Sequence, residues 1–416
     1  MNGLHSDNST GLTWPTEGHI KVPYQIYFDP EIYELEQEKI FKGPTWSYVG
    51  LEAEVPKPGD FRTTFIGDTP VVVSRDNDGS LHVFVNRCAH RGALVCREPR
   101  GNHRTHVCGY HQWSYDLQGN LKGVPFKKGI EGKGGYADDF DPSEHSLQKL
   151  KVDTYDGLIF ASFDPNVEAL YDYLGPAMRP WLDRVLNRPI RVLGYTRQFI
   201  ESNWKLYAEN VRDPYHASLL HLFHTTFGIY RSSQGGGVIM DEKGRHHIIQ
   251  AYKRAEADEV SAYKDADLRT FQEQYKLSDP SLLEGRKEFE KDYTSIHSIF
   301  PCLVVQQIQN TLATRHILPK AADKFELLVT YFGYEDDDEE MLNIRHKQAN
   351  LIGPAGLISM EDGYASEIVQ QSIVHDKSAG SYLELGGRDV SDQENLVTET
   401  GIRGFYEYYR GLMGLN

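Results

Sequence analysis

Two short segments of the chain each pair a cysteine with a histidine. Cys88 and His90 form Cys-x-His, and after seventeen further residues Cys108 and His111 form Cys-x-x-His. Two thiolates and two imidazoles are a mixed ligand set that suits zinc or an iron–sulfur cluster. Zinc fingers usually group the cysteines and the histidines separately, whereas here each segment carries one of each. The pattern therefore favours a two-iron cluster in which one iron takes both cysteines and the other both histidines, with zinc as the alternative.

The residues next to these ligands also fit a cluster. Gly92 and Gly109 lie within the two segments, where we expect them to allow a tight loop backbone. We expect Tyr110 and Trp113 to shield the cluster from water. The simpler alternative, buried cysteines beside surface histidines, would leave the occurrence of two Cys–His pairs in one short stretch unexplained.

A second group of candidate ligands lies further along the chain, at Asp213, His216 and His221, with His224 close behind. Two histidines and a carboxylate can bind one face of an iron ion and leave positions open for O₂. His216 and His221 are separated by about 140° around an ideal helix, whereas His221 and His224 face more nearly the same way. Asp213-Pro214 also fits a helix N-cap followed by proline. Spacing alone leaves these interpretations open.

The cysteine–histidine segments lie in a stretch of short β-rich runs. The Asp76–Gly79 sequence, DNDG, is a strong signal for a hairpin turn between two of them. Many short strands joined by tight turns predict a small all-β module. The predicted strands are 61–66, 70–75, 81–86 and 158–163.

The rest of the chain mixes helical and strand patterns, which predicts an α+β fold. We expect an all-β domain at residues 42–165 to be inserted between residues 1–41 and 166–416 of a second domain. Residues 230–290 are polar and give no clear prediction. The predicted strands of the second domain are 189–201, 295–309 and 325–332, and its helices are 30–41, 168–174, 177–186, 204–210, 336–350, 357–373 and 399–412.

Composition excludes several classes of protein. The 416 residues carry 44 Lys plus Arg against 60 Asp plus Glu, a formal net charge of −16 that disfavours nucleic-acid binding. No apolar run is long enough to span a membrane, and the polar N-terminus does not resemble a secretory signal. Four cysteines do not form a disulfide scaffold in a chain of this length. We therefore expect a cytoplasmic protein.

The segments NRCAHRGALVC and VCGYHQWSYDLQGNLKGVPF resemble the Rieske domain in the large (alpha) subunit of ring-hydroxylating oxygenases. The resemblance implies a Rieske [2Fe-2S] cluster bound by Cys88, His90, Cys108 and His111. It extends over nearly the whole chain and implies a helix-grip catalytic domain, an antiparallel sheet plus helices, that binds a mononuclear Fe(II). A Rieske-type electron carrier would need only the first module, and a zinc protein would be colourless.

The same resemblance assigns roles around the second group. The family's motif Asp-x-x-His-x₄-His matches Asp213, His216 and His221, which implies that the two histidines bind iron. Asp213 corresponds to the carboxylate that links an iron histidine of one subunit to a Rieske histidine of the next. His224 falls outside the motif, so we expect it in the core or beside the ligands.

The resemblance also implies a distant acidic third ligand. In the family it belongs to an acidic pair that follows a Gly-Pro-containing loop, and GPAGLISMEDG supplies Glu361 and Asp362. Asp362, directly before the glycine, matches the ligand position, and Glu361 is the alternative. Without the resemblance, an aspartate near a helix start would be interpreted as a partner of the helix dipole.

Within the family the sequence is most like the branch that acts on aromatic carboxylates. The implied reaction is dihydroxylation of anthranilate to catechol with loss of CO₂ and ammonia; salicylate 5-hydroxylation and terephthalate 1,2-dioxygenation are alternatives. Arg315 is the candidate partner of the substrate carboxylate, unless it is a surface residue at a strand edge. Residues 393–397 offer no second arginine, which favours a monocarboxylate.

The family resemblance also implies partners. Large subunits assemble as homotrimers, commonly α3β3 with a small β subunit, so that His111 of one chain meets Asp213 and His216 of the next. The chain has no GxGxxG dinucleotide fingerprint. We therefore expect the NADH-oxidising reductase, with or without a ferredoxin, to be a separate protein.

Overall fold

The computed structural model describes residues 11–253, 260–289, 293–353 and 357–415. The chain divides into two compact units. The first, here called the α+β unit, comprises Met1–Ile40 and Tyr171–Asn416, and the second, here called the β unit, is Phe41–Leu170.

The α+β unit begins with strand β1 (Lys21–Pro23) and helix α1 (Pro30–Glu36). Asp29 caps α1 by accepting a hydrogen bond from the Glu31 backbone N–H at 3.0 Å, and Pro30 takes the first helical position. A π-helical turn, Gln37–Phe41, continues it. The predicted helix 30–41 is therefore present, with a wider last turn.

The β unit consists of three small antiparallel sheets, with strand orders β10-β11-β2, β5-β4-β3-β6 and β7-β8-β9. The predicted turn forms: Asp76 N–H donates to Ser80 C=O at 2.9 Å, and Gly79 N–H donates to Asp76 C=O at 3.0 Å. All four predicted strands are present. The strands are β2 (Ser47–Leu51), β3 (Asp60–Ile66), β4 (Thr69–Arg75), β5 (Leu81–Val85), β6 (Arg100–Asn102), β7 (His106–Val107), β8 (Ser114–Tyr115), β9 (Leu121–Gly123), β10 (Lys151–Tyr155) and β11 (Leu158–Ser162).

The main sheet of the α+β unit has seven antiparallel strands in the order β12-β18-β17-β16-β15-β14-β13. Its strands are β12 (Ile190–Ile200), β13 (Gly235–Met240), β14 (His247–Tyr252), β15 (Thr294–Ile299), β16 (Leu303–Ile308), β17 (Thr311–Ala321) and β18 (Lys324–Tyr334). A short strand, β19 (Gly380–Tyr382), pairs with β1.

The helices of this unit follow the predicted pattern closely. The first of them, α2, contains a break at Gly175, where φ is +70°, so the two predicted helices form its two halves. They are α2 (Leu170–Val185), α3 (Trp204–Asn210), α4 (Ala217–Leu220), α5 (Leu222–Phe227), α6 (Ser261–Asp265), α7 (Glu339–Ile352), α8 (Ile358–Ile373) and α9 (Thr400–Met413).

Strands β13, β14 and β17 are the strands of the main sheet that lie outside the predicted ranges. Gly236 has φ +135°, and a Cβ at Gly237 would lie 1.9 Å from the carbonyl oxygen of Gln393. The backbone approaches a neighbouring segment so closely here that glycine is required, which removes the alternation of apolar and polar side chains that identifies a strand.

Helices α7 and α8 pack on strands toward one end of the main sheet. Helix α8 packs against α3 and β12, and α7 packs against β17 and β18. An antiparallel sheet covered by these helices confirms the predicted α+β fold with a helix-grip domain. No helix among the described residues is long and apolar enough to cross a membrane.

Candidate metal centres

The first cysteine–histidine segment is a tight loop that follows β5. The N–H of Cys88 donates to the carbonyl of Ala93 at 2.8 Å, and the N–H of Gly92 donates back to the carbonyl of Cys88 at 2.9 Å. Gly92 has φ +77°, in the left-handed region that favours glycine. The expected role of Gly92 is therefore confirmed.

The second segment repeats this backbone arrangement between β7 and β8. The N–H of Cys108 donates to the carbonyl of Trp113 at 2.9 Å, and the N–H of Gln112 donates to the carbonyl of Cys108 at 3.0 Å. Gln112, with φ +57°, occupies the left-handed position that Gly92 occupies in the first loop. The expectation for Gly109 was wrong, because the left-handed residue follows the cysteine by four positions and Gly109 follows it by one.

The four predicted cluster ligands form two pairs, one of thiols and one of imidazoles. Cys88 and Cys108 are both buried; burial, with a smaller contribution from the neighbouring Cys108, raises the pKa of the Cys88 thiol, and the rings of His90 and His111 lie 4.6 Å apart. Among the described residues, these four donors are not a group whose ligand atoms all converge within 4.8 Å, as one tetrahedral zinc would require. Paired thiols and paired imidazoles fit a two-iron cluster instead.

Aromatic residues surround these donors. Trp113 is buried and stacks on the His90 ring, with centroids 4.8 Å apart and planes at 10°. The Tyr115 hydroxyl lies 3.2 Å from the Cys88 sulfur, and its aromatic ring is fully buried. Tyr110 packs on His111 but remains 58% exposed. Trp113 therefore provides the expected shield, whereas Tyr110 presents an apolar surface to solvent.

The second centre depends on a break in the helix that carries its histidines. His216 precedes α4, and His221 lies between α4 and α5 with φ −91° and ψ 101°. This extended residue interrupts the helical rotation, so the His216 and His221 rings lie 5.5 Å apart. The helical spacing had disfavoured this pair, and the irregularity at His221 is what brings it together.

Asp362, on α8, completes this group. Its Oδ1 lies 3.3 Å from His216 Nε2 and 3.1 Å from His221 Nε2, and it is buried without hydrogen-bond geometry to either. Among the described residues, only these three form a group of His, Cys, Asp or Glu donors within 4.8 Å of one another. A buried carboxylate oxygen facing two imidazole nitrogens fits a facially bound metal ion.

The outer nitrogens of both histidines have hydrogen-bond acceptors. His221 Nδ1 donates to Glu361 Oε2 at 2.7 Å, and His216 Nδ1 donates to the backbone carbonyl of Asp213 at 2.6 Å. Each Nδ1 therefore carries a proton, and each Nε2 faces Asp362. The alternative ligand, Glu361, thus contacts the far side of His221.

The charges of the group interact strongly. Burial opposes protonation of His221, but the charge of Asp362 and the hydrogen bond to Glu361 outweigh it and raise its pKa to about 9. Burial likewise opposes ionisation of Asp362, yet His221 and His216 hold the pKa of this carboxyl well below its usual value. Positive charge is therefore stabilised at the centre of the group, where a metal cation would bind.

Asp213 lies in the turn that precedes α4 and contacts His216. Its Oδ1 accepts hydrogen bonds from the backbone N–H groups of Tyr215 at 2.7 Å and His216 at 3.1 Å, as a helix-capping residue does. Its Oδ2 lies 3.8 Å from His216 Nδ1, and its side chain is 21% exposed. The carboxylate is therefore next to His216 and, like that histidine, partly accessible to solvent.

His224 is buried beside the group. Its ring centroid lies 5.0 Å from that of His221, and neither of its nitrogens has a hydrogen-bond partner among the described residues. Burial lowers its pKa well below the usual value, so the imidazole is neutral. It stands next to the three donors, as expected for a residue outside the motif.

Arg315 is buried on β17, a central strand, rather than exposed at a sheet edge. Its Nε donates to Gln306 Oε1 at 2.5 Å, and Nη1 donates to the Tyr207 hydroxyl at 3.2 Å. Nη1 also lies 3.9 Å from Asp362 Oδ2. Neither Gln306 nor Tyr207 was among the predicted site residues. Gln306 is the diagonal neighbour of Arg315 on the adjacent strand, so a predicted strand pairing could have identified it.

A small cavity of about 70 Å³ joins these residues. Its walls are mostly apolar, and Arg315 is the only lysine or arginine among the described residues that line it. A larger cavity of about 690 Å³ shares Thr294 with it. Besides Arg315, the small cavity is lined by Asn210, Val211, Asp213, Pro214, His216, Ala217, His221, His224, Tyr230, Ile249, Thr294, Ile296, Ile308, Ile358 and Asp362.

Two protein families match this chain. Residues 45–137 match the Rieske [2Fe-2S] domain, and residues 177–415 match the catalytic domain of the ring-hydroxylating alpha subunit. The first family carries a [2Fe-2S] cluster and the second binds a mononuclear iron, in agreement with the two donor groups described above.

Curated relatives match over almost the full length. The chain is 52% identical to the anthranilate 1,2-dioxygenase large subunit of Burkholderia cepacia, over 98% of this chain and 97% of the relative. It is 48% identical to the terephthalate 1,2-dioxygenase terminal oxygenase component subunit alpha 2 of Comamonas sp, over 97% and 98%. It is 43% identical to the salicylate 5-hydroxylase large oxygenase component of Ralstonia sp, over 96% of each.

Solved structures share the fold. Naphthalene 1,2-dioxygenase from Rhodococcus sp. superposes with a TM-score of 0.78 at 24% identity, over 94% of each chain. With both domain families matched and relatives aligned from end to end, the chain belongs to the large (alpha) subunits of Rieske-type aromatic ring-hydroxylating dioxygenases.

Proposed function

We propose that this dioxygenase subunit converts anthranilate to catechol, with release of CO₂ and ammonia. The overall reaction consumes O₂, two electrons and two protons for each anthranilic acid. Support comes from one observation above all: the cavity beside His216, His221 and Asp362 is largely apolar, and among the described residues Arg315 is the only arginine or lysine that lines it. The chemistry of these walls suits an aromatic ring that carries one carboxylate.

We assign the metal ligands on the same basis. Cys88, His90, Cys108 and His111 would hold the [2Fe-2S] cluster, and His216, His221 and Asp362 would hold the mononuclear iron. When bound, the cluster supplies electrons one at a time and the iron supplies O₂ activation at its open positions.

The remaining side chains have positioning tasks. Glu361 fixes the protonated nitrogen and the ring orientation of His221, so that Nε2 stays available as a ligand. The backbone carbonyl of Asp213 does the same for His216. Gln306 and Tyr207 hold the Arg315 guanidinium in the cavity wall, which keeps its charge directed at the substrate carboxylate.

We further propose that the chain works within a homotrimer, commonly α3β3 with a small β subunit. Asp213 would bridge His216 of one chain and the cluster ligand His111 of the next. Two exposed apolar surfaces support such a contact: Leu94 and Tyr110 beside the cluster loops, and Tyr215 and Leu219 beside Asp213. The electrons would come from a separate NADH-oxidising reductase, with or without a ferredoxin.

Terephthalate is the second candidate substrate, because the Comamonas terephthalate subunit is nearly as similar as the anthranilate one. Terephthalate carries a second carboxylate opposite the first. The described cavity wall offers no second arginine or lysine for it besides Arg315. This favours a monocarboxylate, and salicylate 5-hydroxylation then ranks behind anthranilate on overall similarity.

Product analysis tests the proposal. The full chain, co-expressed with a small subunit, would be supplied with NADH, a reductase and one of three acids: anthranilate, salicylate or terephthalate. We expect catechol and ammonia from anthranilate, with little product from terephthalate. A dihydrodiol formed from terephthalate at a higher kcat/KM, or 2,5-dihydroxybenzoate formed preferentially from salicylate, would contradict the assignment.

A substitution at Arg315 tests its proposed contact with the substrate carboxylate. Arg315→Leu should raise the KM for anthranilate by about tenfold or more, because the carboxylate loses a charge-assisted hydrogen bond in a buried cavity. Arg388→Leu, which removes an exposed arginine that pairs with Glu384, is the matched control. An unchanged KM in Arg315→Leu, with the iron and cluster content intact, would exclude this carboxylate contact.

A further inference from the structure

The family motif and the proposed reaction leave one buried polar residue of the cavity unexplained. His224 is 6% exposed, and both ring nitrogens are buried without a hydrogen-bond partner among the described residues. An unpaired polar group costs free energy in a protein interior unless something satisfies it when the protein functions. His224 lines the cavity, so a bound substrate is the available partner.

The position of His224 relative to Arg315 limits which part of a substrate it could contact. Arg315 Nη1 lies 3.9 Å from Asp362 Oδ2, and Asp362 Oδ1 lies 3.1 Å from His221 Nε2. The His224 ring centroid is then 5.0 Å from that of His221. Arg315 and His224 therefore both lie close to the proposed iron ligands, and both line the same cavity.

Two other polar groups of the cavity wall already have hydrogen-bond partners. The Tyr230 hydroxyl already donates to the carbonyl of Pro214 at 2.9 Å, and Asp213 accepts bonds from its own loop. Apart from Asp362 Oδ1, which faces the two iron-binding histidines, Asn210 Oδ1 is the other buried atom of this wall without a partner among the described residues. Asn210 is therefore the natural comparison for any role given to His224.

We propose that His224 determines specificity by accepting a hydrogen bond from a donor group ortho to the substrate carboxylate. This rests on the proposed function, since it requires Arg315 to hold the carboxylate. A neutral imidazole offers one lone-pair nitrogen and one N–H. The amino group of anthranilate and the hydroxyl of salicylate can donate to it, whereas benzoate and terephthalate have only hydrogen at that position.

Equilibrium binding separates this role from general packing. Isolated full-length protein with both metal centres loaded would be titrated calorimetrically with anthranilate, salicylate and benzoate, without reductase so that no turnover occurs. Wild-type protein should bind each ortho-substituted acid roughly three- to tenfold more tightly than benzoate, as expected for one buried neutral hydrogen bond. His224→Phe keeps the ring volume and should bind all three acids with similar affinity.

Two further variants keep the test decisive if His224→Phe disturbs the neighbouring iron ligand. His224→Gln retains a hydrogen-bond acceptor and should keep part of the preference for anthranilate over benzoate. Asn210→Ala should leave that preference unchanged. Iron and sulfide content would be measured for every variant, and benzoate affinity would show whether the cavity itself is intact.

The outcomes distinguish this inference from the proposed function. The inference is wrong if His224→Phe retains the wild-type preference for anthranilate over benzoate. It is also wrong if Asn210→Ala abolishes that preference, because Asn210 rather than His224 would then bind the group ortho to the carboxylate. If wild-type protein binds anthranilate and benzoate equally, the inference fails while anthranilate oxidation stands. If wild-type protein binds none of the three acids, the proposed function itself is overturned.

Discussion

The two metal centres of this molecule are built in opposite ways. The cluster site is local: two loops, each starting at a cysteine, repeat the same pair of backbone hydrogen bonds and the same left-handed residue four positions after the cysteine. The iron site is assembled from distant parts, because His221 and its partner Glu361 are 140 residues apart. A local site depends on loop chemistry, whereas a distant one depends on how helices pack on a sheet.

This difference predicts that either centre can be lost without the other. Asp362→Ala should remove the mononuclear iron and abolish ring oxidation, because it deletes the only carboxylate among the three convergent donors. Metal analysis should show one iron fewer per chain, with acid-labile sulfide and the cluster's visible spectrum unchanged. An unchanged iron content would show that Glu361 or another residue is the ligand.

Cys108→Ser is the reciprocal control for this prediction. It should remove sulfide and the red-brown colour while leaving iron at His216, His221 and Asp362. Loss of both centres in either variant would contradict their independence, provided that circular dichroism shows a folded chain.

Loss of the hydrogen bond between Glu361 and His221 should have the next largest effect, a fall in iron affinity. Glu361→Gln keeps the size of the side chain but replaces the carboxylate that accepts the His221 Nδ1 proton at 2.7 Å. We expect iron affinity to fall by about 10- to 100-fold, as for other residues that orient a metal-binding histidine. Competition with a graded chelator would measure it, and equal affinity in both proteins would argue against this role. Glu367→Gln, on the same helix, is a suitable control.

Acid should also destabilise the α+β unit, which buries His297 with no partner for either nitrogen among the described residues. Burial lowers the pKa of His297 to about 3, from an ordinary value of 6.5. Below pH 6.5 the unfolded chain therefore binds a proton that the folded chain does not, and stability falls as pH falls toward 3. Its contribution is about 1.4 kcal/mol per pH unit.

Chemical denaturation between pH 7.5 and 5 would measure this slope. His297→Gln should flatten it, even if the substitution lowers stability at every pH. His346→Gln, at an exposed histidine, is the matched control and should keep the wild-type slope. Equal slopes in wild type and His297→Gln would contradict the assignment.

The smallest expected effect tests the repetition of the two cluster loops. Gly92 has φ +77° and no atom within 4 Å of an added Cβ, so Gly92→Ala should cost only the backbone penalty of about 1–2 kcal/mol. Gln112→Gly, at the equivalent position, should be neutral or stabilising by up to about 1 kcal/mol. Denaturation of cluster-loaded protein would compare them. Destabilisation by Gln112→Gly would show that the loops are not equivalent.

The cluster site could be predicted from sequence in nearly all its parts. Cysteine and histidine at short spacings indicate metal binding by their residue types alone. A loop of six residues can adopt only a few backbone conformations. Even there the left-handed residue of the second loop, Gln112, escaped prediction, because glutamine carries no conformational signal of the kind that Gly92 carries.

The sequence by itself determined the residue types, the strand-rich insert, part of the order of helices and strands, and the motif that contains His216 and His221. The tertiary structure decided which of these side chains meet. Only the extended backbone at His221, set by packing between α4 and α5, turns two histidines with opposing helical phases toward one point. Only the docking of α8 on α3 and β12 brings Asp362 to that point and gives Glu361 its separate contact. Side-chain spacing is encoded locally, but the meeting of distant segments depends on the packing of the whole sheet.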